Sequence, residues 1–201
     1  MPTHIVPTTR QTYRQAALVL GKAFVDEPVS MVVYRTFSPE RRIQALAVDF
    51  GAEMLICLRK AYPIHVEEDG VILAAAIIYP PGSYPLPWVS EWKILLKSVF
   101  RNGWYDVVSW RKWCEEAGKL HPTEPHYYLP CIGVDPAWQG RGLGSVIMTH
   151  LASLADEAGV GCYLENANPR NLPFYQHLGF KVVNEKIILG LPNWFMWREA
   201  R

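Results

Sequence analysis

The chain from residue 127 onward alternates strand-like and helix-like segments, and this alternation constrains the fold more than any other feature. Short apolar runs bounded by glycine, proline or asparagine are typical of strands. Between two such runs, residues 143–158 repeat apolar side chains at helical spacing, and Gly159 follows in the position of a helix-ending residue. Strands and helices in alternation favour a three-layer α/β domain.

The first half of the chain extends this architecture. Ser38 precedes a proline and a periodic apolar segment, so it is predicted to cap a helix. Residues 71–79 are almost wholly apolar, as expected of a central strand covered on both faces. The predicted helices are residues 12–24, 38–59, 143–158 and 172–178, with one or two more within 88–120. The predicted strands are residues 5–6, 63–66, 71–79, 127–134, 161–165, 181–189 and, as an edge strand, 193–198.

Composition limits the class of protein and its partners. The chain has 201 residues, 50% of them apolar, and a net charge of +1, which fits one folded domain. This charge gives no bulk attraction to nucleic acid or to an acidic membrane, and the longest apolar run is too short to cross a bilayer. We therefore expect neither a nucleic-acid nor a membrane partner. The first residues lack the apolar core of a secretory signal, which predicts a cytoplasmic protein.

The four cysteines, Cys57, Cys114, Cys131 and Cys162, are widely spaced and lie in apolar surroundings. Such residues are typically buried thiols, so we expect all four to be buried and reduced, in keeping with the cytoplasm. No cluster of histidine and cysteine has the spacing of metal ligands, and no metal is expected.

A glycine-rich turn, Gln139-Gly140-Arg141-Gly142-Leu143-Gly144, joins a predicted strand to the long helix. Glycines let backbone N–H groups approach a ligand, and the helix adds unpaired donors and the positive end of its dipole. The turn therefore predicts a phosphate or pyrophosphate site. It lacks the Gly-Lys-Ser/Thr of a P-loop, and its glycines do not have the spacing of the dinucleotide fingerprint. A tight turn without a ligand is the alternative.

Two segments resemble the signatures of one family. Gln139, Gly142 and Gly144, preceded by Val134-Asp135-Pro136, resemble the acyl-CoA signature of the GNAT acetyltransferase superfamily. Downstream, Asn168 is followed seven residues later by Tyr175 and then by Leu178-Gly179-Phe180, which resembles the second signature of that family. Within the superfamily the chain is most similar to the puromycin N-acetyltransferase-like group, although residues 80–120 match weakly.

The resemblance implies a fold and a domain plan. The GNAT fold has a mixed, mostly antiparallel sheet that is splayed between its two central strands, with helices on both faces and the acyl-CoA wedged at the split. Residues 1–201 are then one GNAT domain with a variable helical insert at about 88–120. Five of the eight tryptophans fall in this insert. They either line an aromatic acceptor pocket or form the core of the insert.

The resemblance also implies acetyl-CoA as co-substrate. Arg141 either adds charge at the phosphates or lies solvated. Gly133 marks either a strand irregularity that aims a backbone N–H at the oxyanion or an ordinary strand end. Pro173 is tolerated only in a first helical turn, which makes Asn171 the N-cap and leaves Asn168 for the pantetheine arm. The residues at cofactor-binding positions are Ile132, Gly133, Val134, Gln139, Gly140, Arg141, Gly142, Leu143, Gly144, Ser145, Asn168, Asn171 and Tyr175.

Direct attack of an amine on the thioester, as the family implies, requires two proton transfers. Tyr175 matches the tyrosine of the family that protonates the leaving thiolate; as a residue alone it is also typical of a core aromatic. Glu165, at the end of a strand, is the predicted base for the amine. Asp26 and Glu27 lie on a loop that the family places over the acceptor. Any of these carboxylates is otherwise a solvated or ion-paired surface group.

Three functions are compatible with these residues. The leading one is an N-acetyltransferase that acts on a small-molecule amine. The second is an enzyme of the same fold that modifies a protein or peptide N-terminus or lysine. The third is a CoA-binding sensor without catalysis, against which Tyr175 and the intact glycines argue. A monomer and a homodimer are both compatible with the sequence.

Overall fold

A mixed seven-stranded sheet runs through the molecule. The computed structural model describes residues 4–58, 61–84 and 104–201, with side chains from 108 onward in the last range. The sheet order is β1-β2-β3-β4-β5-β7-β6, and every neighbouring pair is antiparallel except β4 with β5. The strands are β1 (His4–Pro7), β2 (Tyr62–Glu68), β3 (Val71–Tyr79), β4 (His126–Val134), β5 (Gly161–Asn166), β6 (Lys181–Ile188) and β7 (Leu191–Arg198).

Helices cover both faces of this sheet. Leu20 of α1 and Met54 of α3 are fully buried in one apolar cluster, and Ile147 and Leu151 of α5 are fully buried in a second. β3 contributes side chains to both clusters, as a central strand must. The helices are α1 (Tyr13–Ala23), α2 (Pro28–Val33), α3 (Pro39–Cys57), α4 (Trp104–Gly118), α5 (Leu143–Ala158) and α6 (Leu172–His177), with 3₁₀ turns at Pro136–Trp138 and Pro169–Asn171.

The predicted split at the centre of the sheet is confirmed. β4 pairs with β5 only through His126–Tyr128 against Gly161–Tyr163. Beyond these pairs the two strands diverge, each still bonded to its outer neighbour. The divergence opens a cleft on the side of the sheet where β4 leads into the glycine-rich turn.

The irregularity in β4 does not lie at Gly133. Gly133 pairs regularly with Ala75, and the register shift lies between Ile77 and Tyr79, where β4 inserts an extra residue around Pro130. A proline cannot donate to the ladder, which explains a bulge at that point. Gly133 has another role: a Cβ there would lie 2.6 Å from Cβ of Ala23, so its absence lets α1 approach the sheet closely.

Two further expectations are corrected. β7 is not an edge strand, because it lies between β5 and β6 and buries Phe195 and Met196. Cys114 is exposed on α4, whereas the other three cysteines are buried as predicted.

The predicted insert lies only partly within the described residues. α4 confirms a helix in its second half, and residues 85–103 lie outside the described part of the chain. The boundaries of the domain and of the insert stay predictions. No helix in the described ranges is both long and apolar enough to cross a membrane.

Candidate active site

A cavity of about 1110 Å³ occupies the cleft between β4 and β5. One end is formed by the glycine-rich turn and the start of α5, and the other by α2, α3 and α4. The cavity therefore joins the predicted cofactor end to a second compartment walled by helices. The predicted residues that line it are Glu27, Ile132, Gly133, Val134, Gln139, Gly140, Gly142, Leu143, Gly144, Ser145, Glu165, Asn171 and Tyr175.

The glycine-rich turn has a backbone that only glycine adopts easily. Gly140 and Gly142 have φ values of 78° and 77°, and a Cβ on either would meet no atom within 4 Å. The conformation therefore requires these glycines, and the space beside them is open to a ligand. Gly142 is the N-cap of α5 and offers no side-chain acceptor, so the first N–H groups of the helix are left uncapped where the helix lines the cavity.

Asp135 fixes the entry to this turn. Its Oδ1 accepts from the backbone N–H of Ala137 at 3.1 Å, and its Oδ2 accepts from Lys22 Nζ at 2.7 Å. Gln139 Nε2 donates to the carbonyl oxygen of Val134 at 3.3 Å and so closes the turn on the end of β4. Together these bonds present the turn as a rigid, open cradle of backbone donors, which fits a pyrophosphate.

Tyr175, on α6, lies in the wall of the cavity and is 8% exposed. Its ring packs against Phe174 and Phe180, at centroid distances of 5.2 and 6.2 Å. Burial raises the pKa of Tyr175 well above its usual value, and the nearby Glu27 and Cys131 add to the rise. The phenol is therefore protonated at neutral pH and can donate a proton.

Glu27 connects the predicted acceptor side to the predicted cofactor side. Its Oε1 accepts from the side-chain amides of Asn168 at 3.0 Å and Asn171 at 3.5 Å. Asn168 Oδ1 also caps the 3₁₀ turn through the N–H of Arg170, so its side chain is fully engaged within the protein. Asn171 occupies the predicted N-cap position of α6 without a side-chain capping bond.

Glu165, at the end of β5, faces the cavity with a side chain only 5% exposed. Its Oε1 lies 3.8 Å from Nδ1 of His121, whose Nε2 is in turn 3.2 Å from Nε2 of His126. Burial, and then the charge of Glu165, raise the pKa values of Tyr128 and Tyr163. The predicted base is thus a buried carboxylate beside an imidazole and two phenols.

Three of the predicted residues do not line the cavity. The Asp26 side chain is 83% exposed and lies 3.7 Å from Arg42, and Asn168 donates to Glu27 without lining the cavity itself. Arg141 Nη2 donates to Glu68 Oε2 at 3.3 Å, and its guanidinium stacks on Trp138 at 4.9 Å. Through these two contacts Arg141 stabilises the side of the turn that does not line the cavity.

Comparison with known proteins decides the family. Residues 32–180 match the model of the acetyltransferase (GNAT) family. This chain belongs to the GNAT family. An uncharacterized N-acetyltransferase of Schizosaccharomyces pombe is 27% identical over 195 residues, which cover 90% of this chain and 75% of that protein.

Solved structures agree with this GNAT fold. A Corynebacterium glutamicum protein, described as histone acetyltransferase HPA2 and related acetyltransferase, superposes with a TM-score of 0.69 at 19% identity, over 100% of this chain and 98% of that one. The PaiA N-acetyltransferase from Thermoplasma acidophilum, solved with coenzyme A, superposes with a TM-score of 0.62 at 10% identity over 100% of both chains. This GNAT protein is an acyltransferase that uses acetyl-CoA. Within the described ranges, no group of three or more His, Cys, Asp or Glu side chains is placed to hold a metal.

Two carboxylates of this GNAT site were not predicted from the sequence. Asp49 and Glu53, on α3, both line the cavity. Both lie between Leu46 and Cys57, which are buried residues of the helix. Carboxylates are rare on the buried side of a helix, and that unusual position is the sequence signal that could have identified them. Two further lining residues, Trp110 and Trp113, come from the predicted insert and stack at 5.2 Å.

Proposed function

We propose that this GNAT protein transfers an acetyl group from acetyl-CoA to the primary amine of a small molecule, by direct attack in a ternary complex. The observation that carries the proposal is the single cavity that runs from the glycine-rich turn to a compartment of aromatic rings and carboxylates. Its volume of about 1110 Å³ lies just above that of ordinary small-molecule sites. It has room for a cofactor arm and one small acceptor.

Acetyl-CoA supplies a thioester carbonyl as the electrophile. The glycine-rich turn and the first N–H groups of α5 bind the pyrophosphate. The edge of β4 near Ile132 and Val134, unpaired on the β5 side, offers backbone N–H groups to the oxyanion. Tyr175 donates a proton to the sulfur as the carbon–sulfur bond breaks.

Removal of a proton from the acceptor falls to a carboxylate of the cavity. Glu165 is the residue that the sequence predicts for this step, and it lines the cavity. Glu27, the acceptor-side candidate, is engaged by two asparagine amides and therefore orders the site. Glu53 is a further carboxylate in the same cavity.

The rival acceptor is a peptide or protein. A peptide substrate requires an open groove, whereas here α2, α3 and α4 all contribute to the walls. The rival without chemistry is a CoA sensor, and it provides no reason for a buried phenol at the position of Tyr175. Both arguments favour the small-molecule enzyme, with the cytoplasm as its predicted location.

The direct test is turnover of acetyl-CoA across an amine panel, followed by mass spectrometry of the acetylated product. The panel contains 2-phenylethylamine, aniline, puromycin and two peptides, one with a free N-terminus and one with a lysine. Puromycin is included because of the resemblance to the puromycin N-acetyltransferase-like group. We expect acetylation of small amines at rates above those for the peptides. Faster peptide modification would support the second function, and CoA binding without any product would support the sensor.

A further inference from the structure

Asp49 and Glu53 lie one turn apart on α3 and both face the cavity. Tyr79 Oη donates to Glu53 Oε1 at 3.1 Å, and Tyr34 Oη donates to Asp49 Oδ2. No Lys, Arg or His of the described ranges lies within ion-pair distance of Glu53. A carboxylate largely enclosed by protein without a protein cation is costly unless it takes up a proton or a ligand supplies the positive charge.

We propose that Glu53 binds the ammonium group of the acceptor and takes one of its protons, with Asp49 as the second negative charge of the same pocket. This inference rests on the proposed N-acetyltransferase function and deepens it by naming the group that prepares the amine for attack. Glu53 then has the role that the sequence predicts for Glu165.

Glu53 is close to the reaction centre. Burial and then the charge of Glu53 raise the pKa of Cys131, on β4, and the Cys131 thiol also contributes to the raised pKa of Tyr175. All three residues line the cavity. Met54, beside Glu53 on α3, is buried with Cys131 in one apolar cluster, whereas Tyr175 is buried in the other cluster. Cys131 is next to Ile132 and Gly133, where the thioester is expected. The two proton-handling groups therefore flank the strand that holds the electrophile.

The pKa of Glu53 suits a proton acceptor at neutral pH. Burial raises it to about 7, the Tyr79 hydrogen bond opposes the rise and the charge of Asp49 adds to it. The buried thiols and the phenol around Glu53 do not ionise near that pH. Burial raises the pKa of Cys57 to about 12 and those of Tyr79 and Cys131 well above their usual values.

The lining of the cavity indicates the class of acceptor. Among the described lining residues, the carboxylates of Glu27, Asp49, Glu53, Glu115 and Glu165 face one guanidinium, that of Arg111. Aromatic rings form the adjoining wall; Tyr84 lies 4.7 Å from Tyr128 and 5.5 Å from Tyr79 between ring centroids. Carboxylates with aromatic faces favour a cation with an apolar body. The acceptor is therefore a primary alkylamine that carries an aromatic ring and no acidic group.

The protons balance as follows. The acceptor ammonium gives one proton to the Glu53 carboxylate, and the freed lone pair forms the carbon–nitrogen bond. The nitrogen loses a second proton as the carbon–sulfur bond breaks, and the sulfur receives one from Tyr175. The tyrosine regains that proton from the nitrogen, and Glu53 releases its proton to solvent. The net products are an amide, a free thiol and one proton.

The test compares Glu53→Gln, Glu165→Gln and Glu40→Gln, with Glu40 as the control because it is an exposed carboxylate of the same helix that does not line the cavity. With 2-phenylethylamine, which is cationic at neutral pH, we expect Glu53→Gln to lower kcat/KM about 100-fold, as for loss of a general base. CoA affinity should be unchanged, and Glu40→Gln should match the wild type. With aniline, which is already neutral, the Glu53→Gln defect should largely disappear.

The pH dependence of kcat/KM distinguishes a catalytic role of Glu53 from a structural one, because a purely structural residue would not set the pH at which the rate rises. The wild-type kcat/KM for 2-phenylethylamine should rise through about pH 7 as Glu53 ionises, and fall as the amine loses its charge. In Glu53→Gln the rate should instead rise steadily up to the pKa of the amine. Glu53→Asp keeps the carboxylate and should keep the rise near pH 7. It thereby also tests the proposal should the glutamine variant fold poorly.

Acceptor choice is tested by a matched pair. Phenylalanine differs from 2-phenylethylamine by one carboxylate, and the acidic pocket should lower its kcat/KM at least about tenfold. Equal rates would contradict the acceptor class. A defect in Glu165→Gln with wild-type behaviour of Glu53→Gln would overturn the assignment in favour of Glu165. Absence of turnover by the wild type on every amine would instead refute the proposed function itself.

Discussion

Tyr175 and Cys114 are two ionisable side chains that line the same cavity but differ in their exposure to solvent. Tyr175 is enclosed, and burial holds its proton on the phenol. Cys114 lies exposed on α4 at the far end of the same cavity. The enclosed phenol is therefore suited to proton donation, and the exposed thiol is accessible to reagents from solvent.

At the residue scale, Tyr175→Phe should lower kcat about 100-fold, because the leaving thiolate loses its proton donor. The affinity for CoA should be unchanged, since the backbone cradle of the turn remains. Steady-state kinetics and calorimetric titration with CoA measure the two effects. Tyr127→Phe is the matched control, because Tyr127 lies on β4 without lining the cavity. An unchanged kcat in Tyr175→Phe would remove the phenol from the mechanism.

Cys114 should be the first thiol to react with a maleimide in the native protein. Cys57, Cys131 and Cys162 are buried, and burial raises their pKa values, so they carry little thiolate at neutral pH. Intact-mass analysis should show one label in the folded protein and four after denaturation. Cys114→Ser should show none in the folded state, whereas rapid labelling of that variant would contradict the burial of the other three.

Membership of the cavity was predictable where a local pattern carries it. The glycines of the turn and Tyr175 are reached from short motifs, and the structure brings them together at one cavity. Glu53 was not predictable, because its importance comes from packing of α3 against β3 and β4, which lie far along the chain. The close approach of α1 to Gly133 was not predictable for the same reason, because it depends on packing between distant segments.

At the scale of elements, α5 has a left-handed glycine at each end, and only one of them lies at the cavity. Gly142 caps its start with φ 77°, and Gly159 caps its end with φ 65°. Its boundaries were predictable because both ends are determined locally. The placement of β7 was not, because strand order depends on pairing between distant segments.

These glycines allow a matched comparison. Gly142→Ala and Gly159→Ala should each destabilise the fold by about 1 kcal/mol, the cost of a left-handed alanine. Gly142→Ala alone should raise the Kd for CoA, by about tenfold, because a methyl group then occupies the open side of the cradle. Urea unfolding and CoA titration measure the two effects. An equal loss of CoA affinity in both variants would show that helix stability, rather than the cradle, controls binding.

At the scale of the whole molecule, ion pairs join elements that are distant in sequence. Asp156, on α5, accepts two bonds of 2.8 Å from Arg198 of β7 and one of 2.9 Å from the N–H of Arg201. Arg198 holds the pKa of Asp156 down at about 2. Lys119 and Lys186 likewise hold the pKa of Glu116, on α4, at about 2.

These depressed pKa values predict an acid-sensitive fold. An unfolded aspartate titrates near 3.8, so protons bind the unfolded chain first as the pH falls. The stabilisation from Asp156 is then complete above about pH 5 and is lost between pH 4 and pH 2. Urea unfolding measured at several pH values should show that Asp156→Asn lowers the free energy of unfolding at pH 7 and loses less stability than the wild type between pH 4 and pH 2. Glu199→Gln, at an exposed carboxylate nearby, should lose stability over that range as the wild type does. The same pH dependence in both variants would contradict the prediction.

The short β4–β5 pairing creates two strand edges inside the molecule. Beyond Tyr128 and Tyr163, each strand has backbone donors and acceptors that no neighbouring strand uses. A strand edge on the surface promotes aggregation, because other protein chains can pair with it. A strand edge inside the cleft can pair only with a narrow, extended ligand that has amide groups of its own. One end of the cleft can thus hold the same extended ligand while the side chains at the other end change. Such a protein can diversify its chemistry by substitutions on α2, α3 and α4 without altering its sheet.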